Sequence, residues 1–67
     1  MIIDPIRRYR RHRRLLKEAA EEAQFLRRRH GEGAIAAARE KLERPDLTQW
    51  GRSVLQQAIK ELDRLAR

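Results

Sequence analysis

The sequence predicts a small all-α protein built from three helices. Apolar residues recur at helical spacing in three segments, and no segment shows the alternation of apolar and polar residues that is typical of a strand. A Gly-Glu-Gly turn at 31–33 and Pro45 separate the segments. We therefore expect a long helix at about 5–30, a short helix at about 34–43 and a second long helix, roughly antiparallel to the first, at about 47–66.

The first helix divides into two parts. Asp4 and Pro5 are typical of a helix start, as the N-cap and the first helical residue. From Leu15 onward its apolar stripe has the form of a core face, whereas before Leu15 arginines intrude on the stripe and surround it. We expect residues 5–14 to project as a basic helical arm and residues 15–67 to form a packed body. The whole stripe consists of Tyr9, His12, Leu15, Leu16, Ala19, Ala20, Ala23 and Leu26.

The other two helices supply the remaining core. The short helix has an apolar face of Ile35, Ala38 and Leu42. Asp46 and Gln49 form a capping box that predicts the start of the third helix, and Gly51 on its apolar side predicts a close backbone contact. The apolar side of the third helix consists of Leu47, Trp50, Val54, Leu55, Ala58, Ile59, Leu62 and Leu65.

Size and composition argue for a single non-catalytic domain. A chain of 67 residues buries only about 60 % of its unfolded surface, so a homo-oligomer that shares apolar faces is one way to add stability. The chain contains no cysteine, and His12 and His30 lack companions at metal-ligand spacing. We find no catalytic triad and no paired carboxylates in an apolar setting, so we expect no catalytic residue, no metal and no cofactor.

The net charge of +7 is concentrated in the first half of the chain. Residues 1–30 carry ten basic and four acidic side chains, and residues 31–67 carry seven basic and six acidic ones. This asymmetry is typical of proteins with a polyanionic partner. No apolar stretch approaches the roughly 20 residues of a membrane span, and the first residues lack the pattern of a secretory leader, so we expect a cytoplasmic protein.

An arginine run between residues 7 and 14 is the main candidate site. Guanidinium groups match phosphate and carboxylate geometry, and the interleaved aromatic ring can stack on bases. No acidic residue lies between Pro5 and Lys17 to oppose an anion. We expect this segment to bind nucleic acid. The alternative interpretation is that it is a solvated basic end of a helix without a dedicated partner. The predicted polyanion-binding residues are Arg7, Arg8, Tyr9, Arg10, Arg11, Arg13 and Arg14.

Two other interpretations stay open at this stage. Phe25 falls outside the predicted core, and Trp50 is either a large core residue or an interface anchor, so both are candidates for a protein interface. The alternative function is therefore a helical adaptor, inhibitor or assembly subunit that docks on an acidic protein surface. Attachment to a membrane surface is less favoured, because the apolar face next to the arginines is short.

Overall fold

A computed structural model describes residues 5–66 as helices joined by short turns. Helix α1 spans Pro5–His30, a 3₁₀ turn spans Gly31–Gly33, α2 spans Ala34–Leu42 and α3 spans Gln49–Ala66. The predicted all-α class with three helices is confirmed. The predicted bounds differ in two places, because α2 ends one residue earlier and α3 begins two residues later than expected. The predicted N-cap, Asp4, lies outside the described residues.

The direction of α3 differs from the prediction. The start of α3 lies beside the first half of α1, where Trp50 contacts Arg11 and Glu18. The end of α3 lies beside the end of α1, where Leu62 and Arg27 line the same groove. The two long helices therefore run in the same direction, not antiparallel. The reason is that the chain reverses its direction twice, between α1 and α2 and again between α2 and α3, so α3 regains the direction of α1.

The different helix lengths leave the start of α1 uncovered. At about 1.5 Å per residue, α1 is roughly 39 Å long, α2 roughly 14 Å and α3 roughly 27 Å. The protein accordingly measures 45 × 28 × 16 Å. Every residue from 5 to 14 is exposed, Leu15 is half-buried, and Ala19 is the first fully buried residue of α1.

The core is narrow and rich in alanine. Among residues 5–66, only Leu26 combines a large side chain with complete burial, and the small alanine side chains let the helices approach closely. On α1 the buried stripe is narrower than predicted, because Leu16 and Ala20 are exposed. Leu65 of α3, also predicted to be buried, is exposed at the end of its helix. The buried core consists of Ala19, Ala23, Leu26, Ala34, Ala38, Leu55, Ala58 and Leu62.

A glycine ends α1, as predicted. Gly31 has φ +58°, in the left-handed region, and it is the only residue with positive φ in the described part of the chain. A residue with a Cβ is disfavoured in this conformation, so the sequence position of the glycine determines where α1 stops. The following turn leads directly into α2.

The start of α3 differs from the predicted capping box. Thr48 is the residue that caps the helix, because its Oγ1 accepts a hydrogen bond from the backbone N–H of Gly51 at 2.9 Å. The prediction that Asp46 is the N-cap is wrong. A Cβ on Gly51 would lie 3.1 Å from Leu47 Cδ1 and 3.1 Å from Thr48 Oγ1. Gly51 is therefore close to the side chains that begin its own helix, rather than to the backbone of a neighbouring helix.

None of the helices between residues 5 and 66 is both long enough and apolar enough to span a membrane.

Candidate polyanion-binding surface

The first turns of α1 present all six arginines of the run to solvent. Residues 7–14 are exposed without exception, and Tyr9 retains 61 % of its accessible surface. A regular helix with 3.6 residues per turn distributes these side chains around its whole circumference. We call residues 7–14 the arginine arm. A polyanion could approach it from several directions.

Carboxylates within the described residues neutralise little of the charge on the arginine arm. Arg14 is the one member with an acidic partner there, and its Nε lies 3.4 Å from Oε1 of Glu18. Arg13 lies over the ring of Tyr9, with its guanidinium carbon 5.8 Å from the ring centroid. Because surface pairs of this kind contribute little to stability, their arginines remain available to an anion.

Trp50 lies beside the arginine arm, although it belongs to α3. Its indole Nε1 donates a hydrogen bond to Oε2 of Glu18, and the guanidinium carbon of Arg11 lies 5.7 Å from the ring centroid. The ring is half-buried. Sequence reasoning treated Trp50 separately from the arginines, and the tertiary structure brings them together.

A groove separates the start of α3 from the arginine arm. It has a volume of about 510 Å³ and is lined by Arg10, Arg11, Arg14 and Trp50. We call it the Trp50 groove. It combines three cationic side chains with one large aromatic ring. That combination suits a ligand that carries both negative charge and flat apolar surface.

Glu18 holds this arrangement together, and sequence reasoning did not single it out. Its two carboxylate oxygens accept hydrogen bonds from different residues, Oε2 from Trp50 and Oε1 from Arg14. Arg11, Arg14 and Glu18 share one face of α1 because they are spaced by three and four residues. The one available signal was that Glu18 is the first acidic residue after the arginines.

A second groove lies on another side of the arginine arm. Its volume is about 630 Å³, and it lies entirely on α1. Ile6 and Tyr9 supply its exposed apolar surface. The residues that line it are Ile6, Tyr9, Arg10, Arg13, Arg14 and Lys17.

Phe25 lies on the surface between α1 and α2. It retains 47 % of its accessible surface, and Nζ of Lys41 lies 5.4 Å from its ring centroid. Lys41 also pairs with Glu22, with Nζ 3.1 Å from Oε1. The ring borders a groove of about 630 Å³, whose other lining residues are Arg29, His30, Ala37, Glu40, Lys41, Glu43, Arg44 and Pro45.

Phe25 and the Trp50 groove lie on the same side of α1. Glu18 and Phe25 are seven residues apart, which is close to two helical turns, so they project from one face. Glu22 lies between them on this face and pairs with Lys41 of α2. The two candidate interface aromatics are thus part of one surface, about 10 Å apart along α1 if measured by helical rise.

The chain matches no known protein family, and comparisons with curated proteins and with solved structures find no significant match either.

Proposed function

We propose that this protein is a non-catalytic binding protein that contacts nucleic acid through its arginine arm. The observation that carries the proposal is the exposure of six arginines within three helical turns, of which only Arg14 has a carboxylate partner among residues 5–66. Arginine forks donate paired hydrogen bonds to phosphate oxygens, and a phosphate backbone offers such oxygens at regular intervals.

The proposed contact is made to phosphates and is largely independent of sequence. Side chains all around a helix can follow a phosphate backbone without reading base edges. Binding should weaken steeply with salt, because each neutralised phosphate releases counterions, and the slope of log affinity against log salt is about −0.9 per contact in B-DNA. A regulatory or accessory role follows more naturally from such binding than catalysis does.

The test compares two double charge reversals. Arg10→Glu with Arg13→Glu removes two arginines from the arm. The new glutamates precede Arg14 and Lys17 by four residues, a spacing that supports the helix. The matched control, Arg39→Glu with Arg52→Glu, makes the same charge change at exposed arginines of α2 and α3.

Fluorescence anisotropy with a labelled duplex, measured between 50 and 200 mM salt, distinguishes the two variants. We expect the arm variant to lose affinity, and the slope of log affinity against log salt to become less steep by about 2. The control variant should keep both its affinity and its slope close to wild type. Equal losses in the two variants would show that overall charge, not the arm, drives binding. Undiminished binding by the arm variant would exclude the proposal.

A second candidate function is docking on an acidic protein surface through Phe25. It is favoured by an exposed ring with a lysine over it. The groove beside the ring is lined by three cationic side chains, Arg29, Lys41 and Arg44, and by two carboxylates, Glu40 and Glu43. An apolar anchor whose rim carries a net positive charge is suited to an acidic partner surface. Phe25→Asp should abolish crosslinking to a native partner in cells, whereas Gln24→Asp, an exposed neighbouring control, should not.

A further inference from the structure

We infer that the Trp50 groove receives an unstacked base, and that the preferred nucleic acid is therefore single-stranded. This inference rests on the proposed function and specifies its ligand. It depends on the position of Trp50, which only the tertiary structure brings next to the arginine arm.

The orientation of the Trp50 ring is defined before any ligand binds. The hydrogen bond from its Nε1 to Glu18 ties one edge of the indole to α1. The ring therefore keeps a constant orientation toward the groove that it shares with Arg10, Arg11 and Arg14. A ligand loses less side-chain entropy when it binds to a ring that is already held in place.

The charges around the groove suit a nucleotide with its phosphates. Arg10, Arg11 and Arg14 line the groove, and the carboxylate of Glu18 contacts two of the lining residues. Both oxygens of Glu18 already accept hydrogen bonds, from Trp50 and Arg14, which offsets its repulsion of an anion. The site thus offers an aromatic platform with cations beside it, as sites for single-stranded nucleic acid commonly do.

Arg11 has a specific place in this binding mode. Its exposed guanidinium lies 5.7 Å from the Trp50 centroid in the free protein. Exposed cation–π contacts are weak, so an incoming base displaces the guanidinium from the ring. Arg11 then contacts the phosphate of the same nucleotide, while the base stacks on the indole.

The recessed position of Trp50 favours a single strand over a duplex. The ring is half-buried between α1 and α3, whereas the arginines around it are exposed. In a duplex the bases are stacked on each other and cannot reach such a ring, although the phosphates still reach the arginines. Unpaired bases can turn outward and stack on an aromatic side chain.

Trp50 is the only tryptophan, so its fluorescence reports on this groove alone. The probes are an oligothymidylate of about 12 nucleotides, within the range of single-strand site sizes, an abasic oligonucleotide of equal length and a duplex. We expect the oligothymidylate to quench Trp50 and to bind about tenfold more tightly than the abasic strand. The duplex should bind through the arm without quenching.

Two variants separate stacking from folding. Trp50→Leu should reduce oligothymidylate affinity, measured by anisotropy of a labelled strand, to the level of the abasic strand. Trp50→Tyr, which keeps an aromatic ring, should retain most of the difference in affinity between the oligothymidylate and the abasic strand. If both variants lose helicity by circular dichroism, the quenching and abasic comparisons on the wild-type protein decide the question.

The three probes and polyglutamate distinguish failure of the single-strand inference from failure of the proposed function. Equal binding of oligothymidylate and abasic strand without quenching would overturn the single-strand inference and leave the proposed function intact. Absence of binding to all three oligonucleotides would overturn both. Quenching by polyglutamate as strong as that by oligothymidylate would overturn the inference in favour of an acidic protein ligand.

Discussion

The indole Nε1 of Trp50 donates a hydrogen bond to Oε2 of Glu18, which lies 32 residues earlier in the chain. Within residues 5–66 this is the only side-chain hydrogen bond that connects α1 with α3. It holds the start of α3 against the end of the arginine arm. It thereby joins the packed body of the protein to its most basic surface.

Replacement of Glu18 should loosen Trp50. We expect Glu18→Ala to shift Trp50 emission to longer wavelength, because the indole gains access to water, and to reduce the free energy of unfolding by about 1 kcal/mol. Urea unfolding followed by circular dichroism measures the second effect. Glu21→Ala changes an exposed glutamate on the same helix and should leave emission unchanged. Identical spectra for the two variants would contradict the role of Glu18.

Leu26 should dominate the stability of the core, because it is the one large side chain that is fully buried in the part of the chain that the structure describes. Leu26→Ala is expected to cost about 2–5 kcal/mol, which for a domain of this size approaches its whole stability. Thermal unfolding followed at 222 nm would detect the loss. Leu16→Ala makes the same chemical change at a position that is 40 % exposed and should cost much less. Similar melting temperatures for both variants would refute the assigned core.

The cap of α3 can be tested by two alanine substitutions. Thr48→Ala removes the oxygen that accepts the hydrogen bond from Gly51 and should cost about 1 kcal/mol in urea unfolding. Asp46→Ala should cost less, since Asp46 is exposed and is not the residue that accepts this bond. A larger loss from Asp46→Ala than from Thr48→Ala would restore the capping box that the sequence suggested.

The two glycines of the turn between α1 and α2 should respond oppositely to alanine. Gly31 has φ +58°, so Gly31→Ala should destabilise the protein by about 1 kcal/mol. Gly33 has φ −84° and ψ 8°, and a Cβ there would meet no atom within 4 Å. Gly33→Ala should therefore be neutral or stabilise by up to about 1 kcal/mol. Thermal melts of both variants check this, and equal shifts in the same direction would contradict it.

Most helix boundaries could be predicted because their causes are local. The left-handed conformation at Gly31 ends α1, and the residue type that adopts it easily is visible in the sequence. The start of α3 was harder to locate because Asp46 and Thr48 are both good N-caps, two residues apart. The path of the chain after Pro45 decides between them, and that path depends on where α3 packs.

The burial of side chains at the edges of the core was predicted less well than the burial of those at its centre. Ala19, Ala23 and Leu26 are buried as expected, whereas Leu16 and Ala20 are exposed. Helical periodicity indicates which residues share a face, but it does not indicate how wide a sector the neighbouring helices cover. With only two helices packed against α1, that sector is narrow.

The sequence by itself determined the helical class and the glycine end of α1. The tertiary structure alone decided that α3 runs in the same direction as α1 and that Trp50 lies beside Arg11. The physical reason is that helix formation and helix ends depend on residues within one or two turns. The position of Trp50 beside the arginine arm depends instead on the lengths of α1 and α2 and on how α3 packs against α1, which brings together residues 32 positions apart in the sequence.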